Sequence, residues 1–350
     1  VTVPRVVPAL LAVLIGLGVL VGPVAPAAAD DEGGTATLQQ RLDEAATGYN
    51  NARAEAQASE KRRTALVSQI AVLEKRISAL DAQVQELSAA AYRNGVPDAA
   101  TAMANSRSLP DLIGNLGLVD TLSERRSQTL ADLRQARRDL ADTQKDVDAQ
   151  LTKQRAAQRT MGRKRAAAEK ALADAKVGGQ PTGGFTDNAD DHPAAAGPPA
   201  RKAAPKPRRK PTAAPRRSDG TYGSEGCSQD DPTSDGCLTP RTLHALRQTR
   251  AAGFTHYVHC FRPASFGEHP KGRACDFAAA KSGFGGAATG DDRAYGNRLA
   301  AWFIANADRL GVLYVIWYRQ IWLPGSGWRA YQSGSDPSAA HTNHVHLSVQ

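Results

Sequence analysis

Two short stretches near the C-terminus hold the residue types that could do chemistry. They are Glu268-His269-Pro270-Lys271-Gly272-Arg273-Ala274-Cys275-Asp276-Phe277 and His341-Thr342-Asn343-His344-Val345-His346-Leu347. His269 and Asp276 stand seven positions apart across a glycine turn, and His344 and His346 are separated by one residue. On a strand, residues i and i+2 share a face, so both imidazoles would project into one cleft. Together the two stretches supply N, O and N donors, the three-ligand set with one open position that a catalytic zinc requires. A lone histidine is more often structural, and His256 is read that way. The two spacings occurring together favour a metal.

The region that must position these residues runs from about 223 to 350 and contains all four cysteines and all four tryptophans. Thr239 to Ala252 is predicted helical, with Pro240 in its first turn. Tyr257 to Phe261 is predicted as a strand and Ala294 to Leu310 as a second helix. Leu313 to Trp317 and Gln320 to Leu323 are predicted strands separated by Tyr318-Arg319, and His344 to Val349 closes the sheet. This mixture is an α+β class with a mixed or antiparallel sheet. The even cysteine count points to disulfides, for which Cys227 with Cys237 and Cys260 with Cys275 are the preferred pairs. A Cys/His zinc knuckle is disfavoured because no pair has C-x2-4-C spacing. Tyr314, Trp317, Tyr318, Trp322 and Trp328 are read as core, with a groove for glycan or stem peptide as the alternative. Gly283 to Gly290 reads as a flexible loop without the lysine of a phosphate-binding loop.

Upstream the chain is built differently. Residues 1–29 read as a secretory signal peptide: Arg5, an apolar run from Val6 to Gly22, then Ala27-Ala28-Ala29 before Asp30. From about residue 37 to 93 the positions Leu66, Ile70, Leu73, Ile77, Leu80, Val84 and Leu87 keep an a/d register, the mark of a coiled coil. Asn94-Gly95-Val96-Pro97 stops it. A second heptad stretch runs from about Val119 to Lys176 through Leu130, Leu133, Leu140, Val147 and Leu151. Residues 30–176 are therefore predicted to fold back as an antiparallel coiled-coil hairpin. The apolar insert Leu109 to Leu116 is expected as a small cap on the hairpin tip or a docking surface. Gln144, Gln154 and Gln158 weaken the second seam, which is expected to fray or need a partner.

Residues 177–222 are predicted to be a disordered, basic, proline-rich linker. Its eight cations, Arg201, Lys202, Lys206, Arg208, Arg209, Lys210, Arg216 and Arg217, nearly equal the formal net charge of +9. No recognition motif or aromatic interleaving accompanies them, which excludes nucleic acid as the expected partner. For an exported chain, anionic wall polymers or lipid headgroups fit better.

Three elements of the C-terminal part carry a family resemblance: Cys260-Phe261-Arg262-Pro263, the His269-to-Asp276 element with its Gly-Arg-Ala core, and His344-Val345-His346. Together they resemble the Hedgehog/D-Ala-D-Ala peptidase superfamily, in its VanY-like branch and in a branch at the C-terminus of actinobacterial secreted coiled-coil proteins. The resemblance implies zinc held by His269, Asp276 and His346, and Arg262 beside the substrate to hold a carboxylate or polarise a carbonyl. His344 is then the candidate base. Carboxypeptidases of this type carry an acid three positions before the last ligand, where this chain has Asn343. Its H-x-H form is similar to the lysostaphin-like and murein-endopeptidase branches. Glu268 is a second candidate base, expected instead to face away or support the ligands.

The N-terminal half resembles the coiled-coil regulatory domains of secreted peptidoglycan hydrolases, on Ala89-Ala90-Ala91-Tyr92-Arg93-Asn94-Gly95 followed by Leu109 to Leu122. That implies a hairpin holding the catalytic part inactive or binding a membrane or divisome protein. The combined expectation is an exported zinc metallopeptidase acting on peptidoglycan. The alternatives are a non-catalytic wall-binding or scaffold protein with a peptidase-like fold, and a structural coiled coil recruiting other hydrolases.

Overall fold

The computed structural model describes residues 32–96, 98–185 and 210–350. The expected signal peptide, Pro97 and the basic residues from 201 to 209 lie outside the described residues. Among the described residues, no helix is long and apolar enough to cross a membrane.

Helix α1 spans Ala36–Asn94, 59 residues, or about 90 Å at 1.5 Å per residue. Thr35 caps it by accepting the Leu38 N–H at 3.2 Å, and Gly95, at φ 76°, ends it. A short helix α2, Ala99–Ala104, leads to α3, Leu109–Asp174. Contacts between Arg41 and Asp174 at 3.4 Å, Glu60 and Gln154 at 2.8 Å, and Asp81 and Arg137 at 2.8 Å fix α1 and α3 as antiparallel.

The predicted hairpin is present, with two corrections. The insert Leu109 to Leu116 is no cap: Ser108 starts α3 there, with Pro110 in its first turn. Leu109 and Ile113 are left exposed. The second seam departs from expectation at Leu130, which is exposed; Leu133 is buried and Leu140, Val147 and Leu151 are half-buried as expected, joined by buried Ala136, Thr143 and Ala157. Small seam residues let the helices approach where leucines were expected to interlock. The fraying expected at Gln154 is offset by its bond to Glu60.

All pairings in the seven-stranded sheet are antiparallel, and the strand order is β1-β8-β7-β6-β9-β5-β4. The strands are β1 Gly178–Pro181, β4 Val258–His259, β5 Ala274–Ala278, β6 Val312–Trp317, β7 Gln320–Leu323, β8 Gly327–Tyr331 and β9 His344–Val349. A separate small ribbon pairs β2, Gln229–Asp230, with β3, Cys237–Leu238. One face of the sheet buries Cys275, Phe277, Val315, Trp317, Val345 and Leu347 against α4, Pro240–Ala251, and α5, Gly290–Ala305. The predicted second helix is divided: α5 ends before Asn306 and a short α6 follows at Ala307–Leu310.

The other face receives the base of the hairpin. Leu38, Leu42, Ala45, Ala46, Ala168, Ala171 and Leu172 pack on Tyr314, Ile316, Ile321, Leu323 and Tyr331. Polar contacts lock the docking: Asn50 Nδ2 donates to the Val312 carbonyl at 2.9 Å, and Arg273 pairs with Asp43 at 2.8 Å. The weak lower end of α3 therefore finds its partner in the sheet.

The linker is narrower than 177–222. Gly178–Pro181 forms β1 on the edge of the sheet, where backbone bonding needs no apolar pattern. Near the other end Tyr222 is buried, its hydroxyl donating to the Asp308 carbonyl at 2.6 Å, and Arg216 pairs with Asp308 at 2.9 Å. Tyr314 and Trp317 are fully buried, in keeping with a core role, while Trp322 and Trp328 are partly buried against that core.

Candidate metal centre

The residues singled out for chemistry converge on the sheet face that also receives the hairpin. In the β5–β9 register Asp276 lies opposite His346 and Ala278 opposite His344. Alternation sends Cys275, Phe277, Val345 and Leu347 to the opposite core, so Asp276, His344 and His346 share one face. His269 arrives from the loop before β5. That loop is a tight turn in which the Gly272 N–H bonds the His269 carbonyl at 2.9 Å and the Arg273 N–H bonds the Glu268 carbonyl at 2.9 Å. Gly272, at φ 67°, permits the turn, and a side chain there would strike Cys227 Sγ at 2.4 Å and the Cys237 carbonyl at 2.7 Å. The two disulfides, Cys227–Cys237 and Cys260–Cys275, follow the preferred pairing. The second ties the start of β5 to the segment carrying Cys260 and Arg262.

Three distances define the centre. His269 Nε2 lies 3.2 Å from His346 Nδ1 and 3.2 Å from Asp276 Oδ2, and His346 Nδ1 lies 2.9 Å from Asp276 Oδ1. Donors about 2.0–2.2 Å from a tetrahedral zinc stand about 3.4 Å from one another, a little wider than these separations, which reach Asp276 through its two different oxygens. His344 Nε2 is 3.4 Å from Asp276 Oδ1. All four side chains are buried.

The outer hydrogen bonds place a proton on Nδ1 of both His269 and His344. His269 Nδ1 faces the Cys260 carbonyl, which only accepts, so Nδ1 carries a proton and Nε2 is the atom turned toward Asp276 and His346. His344 Nδ1 lies 2.7 Å from Asn343 Oδ1. The Asn343 amide is oriented because its Nδ2 donates to the Gly285 carbonyl at 2.9 Å and Ser338 Oγ at 3.0 Å. Nδ1 of His344 therefore holds the proton, and its buried Nε2 has no hydrogen-bond partner. His346 Nε2 lies 2.7 Å from Ser348 Oγ, a group that can donate or accept, and Nδ1 is turned toward Asp276. Imidazole nitrogens and a carboxylate thus converge on one point, an arrangement that a bound cation or protons shared with Asp276 would satisfy.

Burial and charge act on these groups in opposite senses. Burial would raise the Asp276 pKa, but His269, His344 and Arg262 hold it well below the usual carboxylate range. Burial would lower that of His269, and the Asp276 charge raises it instead. Burial carries His344 down to about 4, so its ring is neutral at neutral pH. Arg262 donates to Asp276 Oδ2 at 2.6 Å and keeps 15% of its side chain exposed, at the rim of the centre.

Glu268 turns away. Its carboxylate pairs with Lys271 at 2.8 Å and Arg273 at 3.1 Å, a supporting place rather than a catalytic one. His256 is structural, stacked on Tyr295 at 3.5 Å with Nδ1 2.7 Å from the Ala279 carbonyl.

Two residues at the centre were not assigned a role from the sequence. His341 is buried at φ 50°, its ring 4.9 Å from that of His344, and its Nε2 has no hydrogen-bond partner. The H-x2-H-x-H run contained the signal. Glu32, from the segment before α1, brings a carboxylate oxygen within 4.8 Å of ring nitrogens of His269 and His346. Nothing in the sequence marks it out from the acidic run that contains it.

A family model described as VldE, C-terminal domain, matches residues 234–342. That is under a third of the chain, and it takes in Arg262, His269, Asp276 and His341 but stops before His344 and His346. No curated protein and no solved structure matches the chain.

Proposed function

We propose that the chain is an exported zinc-dependent peptidase acting on peptidoglycan stem peptides, with zinc held by His269, Asp276 and His346. The observation that supports the reading is the convergence of two imidazole nitrogens and a carboxylate on one buried point, each imidazole held from behind by a second hydrogen bond. Bound there, zinc supplies Lewis acidity and an activated water able to attack an amide. His344 Nε2, neutral and unprotonated, is placed to take a proton from the reacting group and return it to the leaving amine. Asn343, standing where carboxypeptidases of the resembled type carry an acid, fixes the His344 tautomer instead. Arg262 holds Asp276 in its ionised form and is exposed enough to meet a substrate carboxylate or carbonyl. Two disulfides and a wall-facing role suit an oxidising, extracytoplasmic site.

The absence of an acid at position 343 also favours a second reading, a wall-binding or scaffold protein that retains metal without turnover. One experiment separates the two. The full chain is incubated with purified peptidoglycan and zinc, and released fragments are resolved by mass. Free D-alanine marks a carboxypeptidase and severed cross-links an endopeptidase. No release from a zinc-loaded chain supports the scaffold and refutes the enzyme.

A further inference from the structure

The segment preceding α1 reaches the metal centre at Glu32, and its contacts there are those of a fitted part. Glu32 is buried. Its Oε1 accepts the backbone N–H groups of Glu268 at 2.5 Å and His269 at 3.0 Å. Its Oε2 lies 2.9 Å from the hydroxyl of buried Tyr314, whose ring stacks on His346 at 5.7 Å. Its main-chain carbonyl accepts the hydroxyl of buried Tyr331 at 2.6 Å. Gly267, at φ 92°, leaves room for it, since a side chain there would meet the Glu32 carboxylate at 2.8 Å. Gln39, on the first turns of α1, bonds the Gly33 carbonyl at 2.7 Å and so ties the segment to the helix.

These contacts bear on the ligands. The two N–H groups belong to the turn that presents His269, and Tyr314 packs on His346, so one carboxylate braces both histidines. Both oxygens already accept hydrogen bonds from the chain, which suits a supporting group rather than a ligand. Its negative charge, close to both rings, also favours a cation between them. Glu32 is four residues before the start of α1, and α1 is seated on the sheet through Leu38 and Leu42. Lifting the base of the hairpin would withdraw the carboxylate with it.

We propose that Glu32 is a positioning residue of the metal centre, delivered by the base of the helical hairpin, so that seating of the hairpin and retention of the metal are coupled. This rests on the metal reading above, and the test separates the two. The full-length chain is compared with Glu32→Ala, Glu32→Gln and Leu42→Asp. Zinc affinity is read by competition with a chromophoric chelator, and hydrogen exchange is read over residues 262–275.

Glu32→Ala should weaken zinc binding about 10–100-fold, the range for loss of a group supporting a ligand, and should speed exchange of the Glu268 and His269 amides. Glu32→Gln keeps an acceptor for both amides and should restore their protection and most of the affinity. Leu42→Asp, which touches neither histidine, should lower affinity in parallel with exposure of the hairpin base. Wild-type affinity in Glu32→Ala overturns the positioning role and leaves the metal reading intact. Complete loss of zinc, with slow amides, overturns it in favour of a direct ligand. Wild-type affinity in a Leu42→Asp chain whose hairpin base exchanges freely overturns the coupling. If the wild type binds no zinc, the metal reading fails by itself, and the amide exchange still decides whether Glu32 holds the His269 turn.

Discussion

Replacing Asn343 by alanine tests the tautomer assignment on which the chemistry of His344 depends. The substitution removes three hydrogen bonds, to His344 Nδ1 at 2.7 Å, the Gly285 carbonyl at 2.9 Å and Ser338 Oγ at 3.0 Å. The last two partners are part-buried and can turn to water, at about 0.5–1.5 kcal/mol each. The Nδ1–H of His344 is buried and cannot, and an unsatisfied buried donor costs about 1–3 kcal/mol. The expected loss of stability is therefore about 2–6 kcal/mol.

The larger effect is chemical. Without the amide, the neutral ring gains by moving its proton to Nε2, where Asp276 Oδ1 stands 3.4 Å away, and the lone pair of the base is lost. Turnover should fall about 10²–10⁴-fold, the range for removal of a general base, while zinc content stays at the wild-type level. The assay is nitrogen NMR of the histidine rings, run beside metal analysis and release of wall fragments. If the variant keeps the proton on Nδ1 of His344 and also keeps its activity, the reasoning is wrong.

Two other perturbations follow from the packing. Gly272→Ala should destabilise the turn before β5 and loosen metal binding, because the new methyl group meets Cys227 Sγ and the Cys237 carbonyl inside 3 Å and the backbone is left-handed; thermal melting beside zinc titration reads both. Asp231 would have its pKa raised by burial, but bonds from Ser234, the Phe261 N–H and Thr233 outweigh that and hold it below the usual range. Its stabilisation is therefore complete above its unfolded pKa of about 3.9 and is lost as pH falls through the lower folded value. Asp231→Asn should be less stable at pH 7 and should lose that acid dependence in urea melts.

The centre was legible where backbone periodicity alone does the placing. His344 and His346 share a face because strands alternate, and Asp276 meets them because β5 pairs with β9 in that register. The hairpin was legible for a similar reason, as α1 keeps its apolar positions over many turns. Elements whose stability comes from the backbone or from distant packing left no such trace. Gly178–Pro181 has no side-chain pattern, and only its bonds to β8 make it a strand. Tyr318-Arg319 forms a two-residue turn with positive φ at both positions, 50° and 62°, where glycine or asparagine is the usual signal. It is held by bonds from its N–H groups to the His341 and Ala340 carbonyls. Glu32 acquires its role only when α1 docks more than two hundred residues away in sequence, a separation that no local spacing encodes.

The central claim is that His269, Asp276 and His346 hold one metal ion. Calorimetric titration of zinc into the chelator-stripped full-length chain at neutral pH tests it most directly, with Asp276→Ala and His346→Ala run alongside. The account requires one zinc per wild-type chain and none in either variant. A folded wild-type chain that takes up no zinc, or variants that bind it as tightly as the wild type, would contradict it.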